Sequence, residues 1–359
     1  MISVSKGARP VAKSITLALD GMGGDDAPDI VLDGISLARR RHPDVRYLLY
    51  GDEAVLGSLL EKRYKPLRDI VTLCHAPDVV TNNDKPSVAL RNGRNSSMAL
   101  AIRAVKERQA DGVVSAGNTG ALMAMAKLAL RTLPGIDRPA IAALMPTQRG
   151  ESVVLDLGAN TECNANNLVE FALMGTLFAR SLLDLDSPTV GLLNIGEEEQ
   201  KGRNEVKEAA AILRETTGVV NFAGFVEGDD IGVGTVDVVV TDGFTGNVAL
   251  KTMEGTAKVM SRFLKEAFRS SLLAQIGYLL ARPAMNRVRH RTDPRRYNGA
   301  MFLGLNGIVV KSHGGTDGLG FANAIGVAVD MVRHGFNERI NTELKKLNSQ
   351  SVTAEVHAI

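Results

Sequence analysis

The chain has 359 residues, 45% hydrophobic and 4% aromatic, with a net charge of +2; this suits one large or two closely packed soluble domains with a sizeable core. Its two cysteines, Cys74 and Cys163, lie far apart with no CxxC partner, which argues against a disulfide framework or a thiolate metal site and fits a reducing, cytoplasmic setting. No run approaches the roughly 18 apolar residues of a spanning helix, and Ile15 to Leu19 is too short for a signal-peptide core, so residues 1–14 read as an extension.

Seven short apolar runs read as strands: ITLAL (15–19), YLLY (47–50), GVVS (112–115), SVVLDLG (152–158), TVGLLNIG (189–196), VDVVVTDG (236–243) and GIVVKSHGG (307–315). Helical patterns fall between them, at about 28–41, 87–108, 120–132, 166–183, 204–216, 247–268 and 320–333. Near-continuous apolar strands alternating with helices predict an α/β fold, a parallel sheet covered on both faces. One catalytic domain is expected over 15–335, with a projecting helical hairpin at about 255–298 and a tail at 336–359. Ligands in such sheets bind beyond the carboxyl ends of the strands, so the residues after each run are the candidates.

After the first run comes Asp20-Gly-Met-Gly-Gly, in which Gly23 and Gly24 let backbone N–H groups face an anion at a helix start. The same turn reads equally well as a tight connection, and its G-x-G-G spacing is not a dinucleotide fingerprint. In Ser115-Ala-Gly-Asn-Thr-Gly, the Asn118 and Thr119 side chains can donate to an oxyanion ahead of Gly120, or Asn118 can simply cap the helix. Asn160 and Asn194 end two further strands. The carboxylates Glu197 to Glu199 lack a paired histidine and read as solvated surface, so no metal is expected. Thr241-Asp-Gly-Phe-Thr-Gly-Asn reads as an anion cradle built from Gly243, Thr245, Gly246 and Asn247, with Lys251 one turn into the helix. Asp242 is out of place beside a phosphate unless a cation offsets it or it orients a neighbouring base.

Lys251 to Ala300 carries eleven basic and three acidic side chains, a local +8 in a chain whose remainder is −6. From 256 to 280 apolar residues recur at helical spacing with Arg262, Lys265 and Arg269 between them, and Arg287, Arg289 and Arg291 follow. Such a segment can lie on an anionic bilayer, dock an acidic carrier protein, or form a subunit interface. The last strand ends in Val310-Lys-Ser-His-Gly-Gly. There Lys311 precedes His313, and Gly314 leaves the imidazole room to donate to or accept from a reacting group. No G-x-S-x-G elbow, no GxxxxGK[ST] and no cysteine beside a base occurs, so the strand ends suit anion binding and oxyanion stabilisation without an acyl-enzyme.

Eight blocks in order, LALDGMGGDDAP, SAGNTGALMA, RPAIAALMPT, VLDLGANTECN, LLNIGEEEQKG, NFAGFVEGDDI, VVVTDGFTGNVALKTMEG and GIVVKSHGGTDGLGFANAI, closely resemble the bacterial phosphate acyltransferases of the PlsX type, over about Ile15 to Arg333. The resemblance implies a three-layer α/β/α fold like that of phosphotransacetylases and, more distantly, isopropylmalate dehydrogenases. It further implies a homodimer, membrane association, no cofactor, no nucleic-acid partner, and transfer of a fatty acyl group from acyl carrier protein to inorganic phosphate. Two motifs depart from the family pattern by exchanges among small residues, Asp20-Gly-Met-Gly-Gly and Ser312-His-Gly-Gly-Thr-Asp. The resemblance identifies these motifs without dividing the labour among them; on their chemistry Lys311 and Lys251 are the candidates to offset phosphate charge, Asn118 to Gly120 and Gly243 to Asn247 to supply donors, and His313 to protonate the departing thiolate or hydrogen-bond the carbonyl oxygen. A phosphotransacetylase of short acyl-CoA, a nicotinamide-dependent dehydrogenase of related fold, and an idle membrane scaffold are the alternatives.

Overall fold

The computed structural model describes residues 14–216, 218–343 and 345. All but residue 14 of the expected N-terminal extension, and residues 344 and 346–359 of the expected tail, lie outside the described residues. The first half holds β1 (Thr16–Asp20), α1 (Asp29–Arg41), β2 (Arg46–Gly51), α2 (Glu53–Lys62), β3 (Val71–His75), α3 (Pro86–Asn92), α4 (Ser97–Lys106), β4 (Gly112–Ser115) and α5 (Thr119–Leu130). Next come β5 (Ala140–Pro146), β6 (Glu151–Leu155), α6 (Ala165–Leu182), β7 (Thr189–Leu193), α7 (Asn204–Glu215), β8 (Asn221–Val226), α8 (Asp230–Val233) and β9 (Val238–Val240). The chain then forms α9 (Gly243–Arg269), α10 (Leu272–Arg291), β10 (Ala300–Leu303), β11 (Ile308–Lys311) and α11 (Gly318–Arg333).

Hydrogen bonds join the strands into one 11-stranded sheet in the order β3-β2-β1-β4-β11-β10-β5-β6-β9-β7-β8. Neighbours run parallel except at β11–β10, β10–β5 and β5–β6. Those reversals leave β6, β9, β7 and β8 pointing opposite to β3, β2, β1, β4 and β11, so the carboxyl ends of the two halves face opposite edges. The sequence reads as one rim; the structure presents two. The strands that the sequence patterns miss have a physical reason for being missed. β3 and β8 are part-exposed edge strands, β10 is four residues long, and β5 is rich in alanine, which favours helices.

Alternation along the strands builds two apolar layers. Leu17 and Leu19, Val153 and Leu155, and Val238 and Val240 face α1, α6 and α11 on one side. Ala18, Val154 and Val239 face α4, α5 and the first turns of α9 on the other. The packed body continues past residue 335: Phe336 and Ile340 are fully buried, and the Phe336 ring meets Phe178 edge-on at 5.8 Å.

Two helices differ from their sequence outline. The pattern at 87–108 divides into α3 and α4, because Ser96 caps α4 by accepting from the Ala99 amide and donates back to the Gly93 carbonyl. α9 begins at Gly243, not Asn247, because Asp242 accepts from the Thr245 amide and starts the helix early. Beyond its buried start α9 leaves the body, and no residue of α10 is buried. Together they form the projecting hairpin.

Candidate active site

At the first edge, three parallel strands end side by side at Asp20 (β1), Ser115 (β4) and Lys311 (β11). Asp20 is 1% exposed and accepts from the Ser97 hydroxyl at 2.6 Å, the Ser115 hydroxyl at 2.7 Å and the Met22 amide at 3.3 Å. Burial still pushes its pKa up against those donors. A Cβ at Gly23 would stand 2.3 Å from the Asp20 carboxylate and 2.8 Å from the Gly117 nitrogen, so this glycine is required by packing around Asp20.

The Lys311 ammonium is buried, donating to the carbonyl oxygens of Ala116 (3.2 Å) and Ser312. Burial lowers its pKa to about 8, with Asp20 and Asp25 opposing the shift. His313 follows, more exposed. Its Nδ1 accepts the Gly315 N–H at 3.1 Å, so the neutral ring carries its proton on Nε2, free to donate. Burial, then Lys251, lowers the His313 pKa, with Glu254 opposing, and the ring is neutral near pH 7. The loop is braced from two sides. The Asp25 amide donates to the Gly314 carbonyl at 3.0 Å, and the His313 amide donates to Asn298 Oδ1 at 2.8 Å.

Asn118 caps α5 by accepting from the Ala121 amide at 3.0 Å, and its Nδ2 donates to the carbonyls of Thr81, Asn82 and Asp84. Its amide is therefore engaged in holding the 81–84 loop. That loop in turn reaches Asp25 through the Asn82 amide at 2.8 Å. With the Ala121 and Leu122 amides satisfied by Asn118, the exposed Thr119 and Gly120 present the first-turn N–H groups that a helix start leaves without acceptors.

The second edge is organised around two carboxylates. Asp156 is fully buried and accepts from the Ile141, Gly158, Ala159 and Asn160 amides and from Asn160 Nδ2. Asn160 also donates to the Pro139 carbonyl at 2.8 Å and accepts the Gly243 amide at 2.7 Å. Asp242 accepts from both the amide and hydroxyl of Thr245 at 2.9 Å and pairs with Arg203. Burial works against the Asp242 carboxylate, but Thr245 and Arg203 hold its pKa below the usual value. Gly246 fits so tightly that a Cβ would lie 1.9 Å from the Asp156 carbonyl oxygen. Asn194 donates to the Gly196 and Lys201 carbonyls at 3.1 Å, and Asn247 lies against Gly158. Two carboxylates of the acidic run are paired with cations, Glu198 with Lys201 at 2.8 Å and Glu199 with Arg214 at 3.0 Å.

The structure thus divides the sequence candidates. Asp20, Gly23, Gly24, Asn118, Thr119, Gly120, Lys311, His313 and Gly314 gather at the first edge. Asn160, Asn194, Asp242, Gly243, Thr245, Gly246 and Asn247 lie at the second, where much of the expected cradle is engaged in internal bonds. α9 links the two: it starts at Asp242 and brings Lys251 into the electrostatic environment of Lys311 and His313. Lys251 itself pairs with Glu254 at 2.9 Å on the exposed surface. Neither cysteine is a ready nucleophile. Burial raises Cys74, and burial with Asp156 and Asp242 pushes Cys163 up to about 12.

On the hairpin, Arg262, Lys265, Arg269, Arg287 and Arg289 are exposed, the last over the Tyr278 ring at 5.7 Å. Arg291 is different: its guanidinium donates to the Thr147 and Gln148 carbonyls at 3.2 and 2.7 Å, pinning the end of α10 to the turn between β5 and β6. Asn298, Asp25 and Ser97 are site neighbours that sequence reasoning missed. Asn298-Gly299 reads only as a turn signal ahead of a strand.

Residues 15–339 match the family described as Fatty acid synthesis protein. A Phosphate acyltransferase of Rhodospirillum rubrum is 62% identical over 97% of this chain and 100% of its own length. A Phosphate acyltransferase of Rhodospirillum centenum is 63% identical over 94% of this chain and 95% of its own. Among solved structures, a phosphotransacetylase from Streptococcus pyogenes superposes with a TM-score of 0.59 at 18% identity, covering 89% of this chain and 94% of that one. A branched-chain phosphotransacylase from Enterococcus faecalis gives 0.58 at 15%, covering 89% and 99%. At such identities these two speak for the fold alone. The matched span and the near full-length identity mean that this chain belongs to the Fatty acid synthesis protein family, in the branch of the phosphate acyltransferases.

Proposed function

We propose that this chain is a phosphate acyltransferase that moves a long-chain fatty acyl group from acyl carrier protein onto inorganic phosphate, releasing the carrier thiol and an acyl phosphate for phospholipid synthesis. The observation that carries the mechanism is the Lys311–His313 pair on one strand-end loop: a buried ammonium beside a neutral imidazole whose Nε2–H is the free donor.

Phosphate is drawn to Lys311, to Lys251 and to the Thr119 and Gly120 amides at the start of α5. One phosphate oxygen attacks the thioester carbonyl carbon, forming the C–O bond, and the carbonyl oxygen takes up the negative charge. His313 Nε2–H donates to that oxygen. Collapse breaks the C–S bond, and the electron pair leaves on sulfur as a thiolate, which needs little acid assistance. Losing a single donor to such an oxyanion typically costs roughly 10² to 10³ in rate. The raised thiol pKa values favour direct transfer over an acyl-cysteine. At the second edge, Asp242, Asn160 and Gly246 set the start of α9 and thereby the position of Lys251.

The packed body from residue 15 through Ile340 acts as one catalytic unit in this reading, working in the cytoplasm. Two copies pair, and the hairpin attaches the enzyme peripherally to an anionic membrane or receives the acidic carrier protein. Exposed Phe263, Leu264, Leu272, Leu273, Leu279 and Leu280 beside Arg262, Lys265, Arg269, Arg287 and Arg289 support this. Among the described residues no helix is long and apolar enough to cross a membrane.

Transfer onto radiolabelled phosphate tests the reaction. Purified protein given palmitoyl-carrier protein and labelled inorganic phosphate should yield labelled palmitoyl phosphate and an equal amount of free carrier thiol, and release no thiol without phosphate. Faster turnover of acetyl-CoA than of the carrier thioester would instead assign a phosphotransacetylase.

A further inference from the structure

The segment that closes the hairpin, residues 293–298, grips both ends of the loop that carries His313. At the near end, Asn298 is a fork: its Oδ1 accepts the His313 N–H at 2.8 Å and its Nδ2 donates to Ser312 Oγ at 2.8 Å. At the far end, Arg295 pairs with Asp317 at 2.8 Å, the residue that caps α11. Arg295 is itself held by Asp293 at 2.6 Å, and the Asn323 amide donates to its carbonyl at 2.7 Å.

The position of the fork is set by its surroundings. Gly299 adopts φ +122°, and a Cβ there would lie 2.9 Å from the Ala324 backbone, so α11 and this turn meet at close range. The Asn298 amide also lies against Gly320, where an added Cβ would stand 3.2 Å from it. Asn298 is half-buried, and its side-chain hydrogen bonds go to none of the groups placed around phosphate. Its bonds go to the backbone of the histidine and to the hydroxyl of the residue before it.

We infer that Asn298 is a positioning residue for the transfer reaction, fixing the backbone of His313 so that Gly315 can hold its Nδ1 and leave Nε2–H aimed at the substrate oxygen. The inference rests on the role given to His313 above. Without the fork, the 312–313 peptide keeps Lys311 on its carbonyl but loses the acceptor for its N–H, the Gly315 bond weakens, and the two neutral imidazole tautomers mix. A donor displaced by about an ångström can lower a rate on the order of 10²-fold without touching substrate affinity.

The test is a double-mutant cycle on acyl phosphate formation with His313→Ala, Asn298→Ala and the pair, together with ¹⁵N chemical shifts of the His313 ring. Asn298→Ala should lower kcat roughly 10- to 100-fold with the KM for phosphate little changed. It should shift the ring from the Nε2–H form toward a mixture. On the His313→Ala background it should have no further effect. Asn298→Asp keeps the acceptor for the His313 amide, and its carboxylate can take the Ser312 hydroxyl, so it should recover most of the rate. If His313→Ala lowers the rate but the two substitutions multiply, or the ring signals stay unchanged in Asn298→Ala, the positioning role is overturned while the role of His313 stands. If His313→Ala leaves the rate intact, the role of His313 fails, and this inference with it.

Discussion

Lys311 couples catalysis and stability in one side chain. Its pKa of about 8 means that the charge offered to phosphate is present below that pH and lost above it. The rate at low phosphate should therefore fall about tenfold per pH unit above about 8, and this limb should vanish from the residual activity of Lys311→Met. The unfolded chain keeps its proton to the ordinary lysine value, so between about 8 and that value it binds more protons than the fold, and stability rises with pH through this window. At neutral pH the buried ammonium costs the fold on the order of 3 kcal/mol. Lys311→Met, similar in shape and uncharged, should raise the urea midpoint at pH 7 while leaving only residual activity. A lowered midpoint would instead make Lys311 a structural residue. Lys311 and His313 are legible in sequence because the strand-end motif that carries them, Val310-Lys-Ser-His-Gly-Gly, is one contiguous stretch. Asn118, Asn160 and Asn194 are equally visible there. Their bonds to the 81–84 loop, to Pro139 and to Lys201 are not, and those bonds engage the amides that the motifs seem to offer.

α9 begins inside the body and ends outside it. Ala249, Leu250 and Met253 pack on the sheet, whereas Val259, Met260, Phe263 and Leu264 are exposed and continue into Leu272, Leu273, Ile276, Leu279 and Leu280 of α10. Arginines flank this apolar surface, and each surface cation contributes about 1 kcal/mol on an anionic membrane. Arg287→Glu combined with Arg289→Glu should weaken co-sedimentation with phosphatidylglycerol vesicles by roughly 30-fold or more, two such contributions being removed. Undiminished binding would rule out the membrane role for these residues. Arg291→Glu should behave differently. It sets a carboxylate against the Thr147 and Gln148 carbonyls and should lower thermal stability, a loss visible in a melting scan without any vesicle. Helical spacing marks the hairpin plainly in sequence, but six cations in one stripe look alike until the fold shows which of them is already held.

At the scale of the whole molecule, an apolar surface of this extent on a projecting helix pair marks an interaction site, and in the proposed arrangement part of it meets a second copy of the chain. Sedimentation equilibrium should therefore give twice the 38.3 kDa chain mass at micromolar concentration and moderate salt. A monomer under those conditions would refute the paired arrangement. The sheet also decides how the site is assembled. Because polarity reverses around β10 and β5, the strand ends of one half cannot join those of the other directly, and α9 must carry Lys251 across the sheet face to His313.

The alternation of seven strands with helices, the Lys311–His313 loop and the basic hairpin follow from the sequence alone, because periodicity, turn residues and charge are local properties. Tertiary structure decided the direction of β6 to β9, the division of the strand ends between two edges, the capping of α9 by Asp242 and the fork made by Asn298. Each of these depends on which distant backbone a strand or amide meets, and a hydrogen-bond donor can be assigned to ligand or to scaffold only once its non-local acceptors are in place.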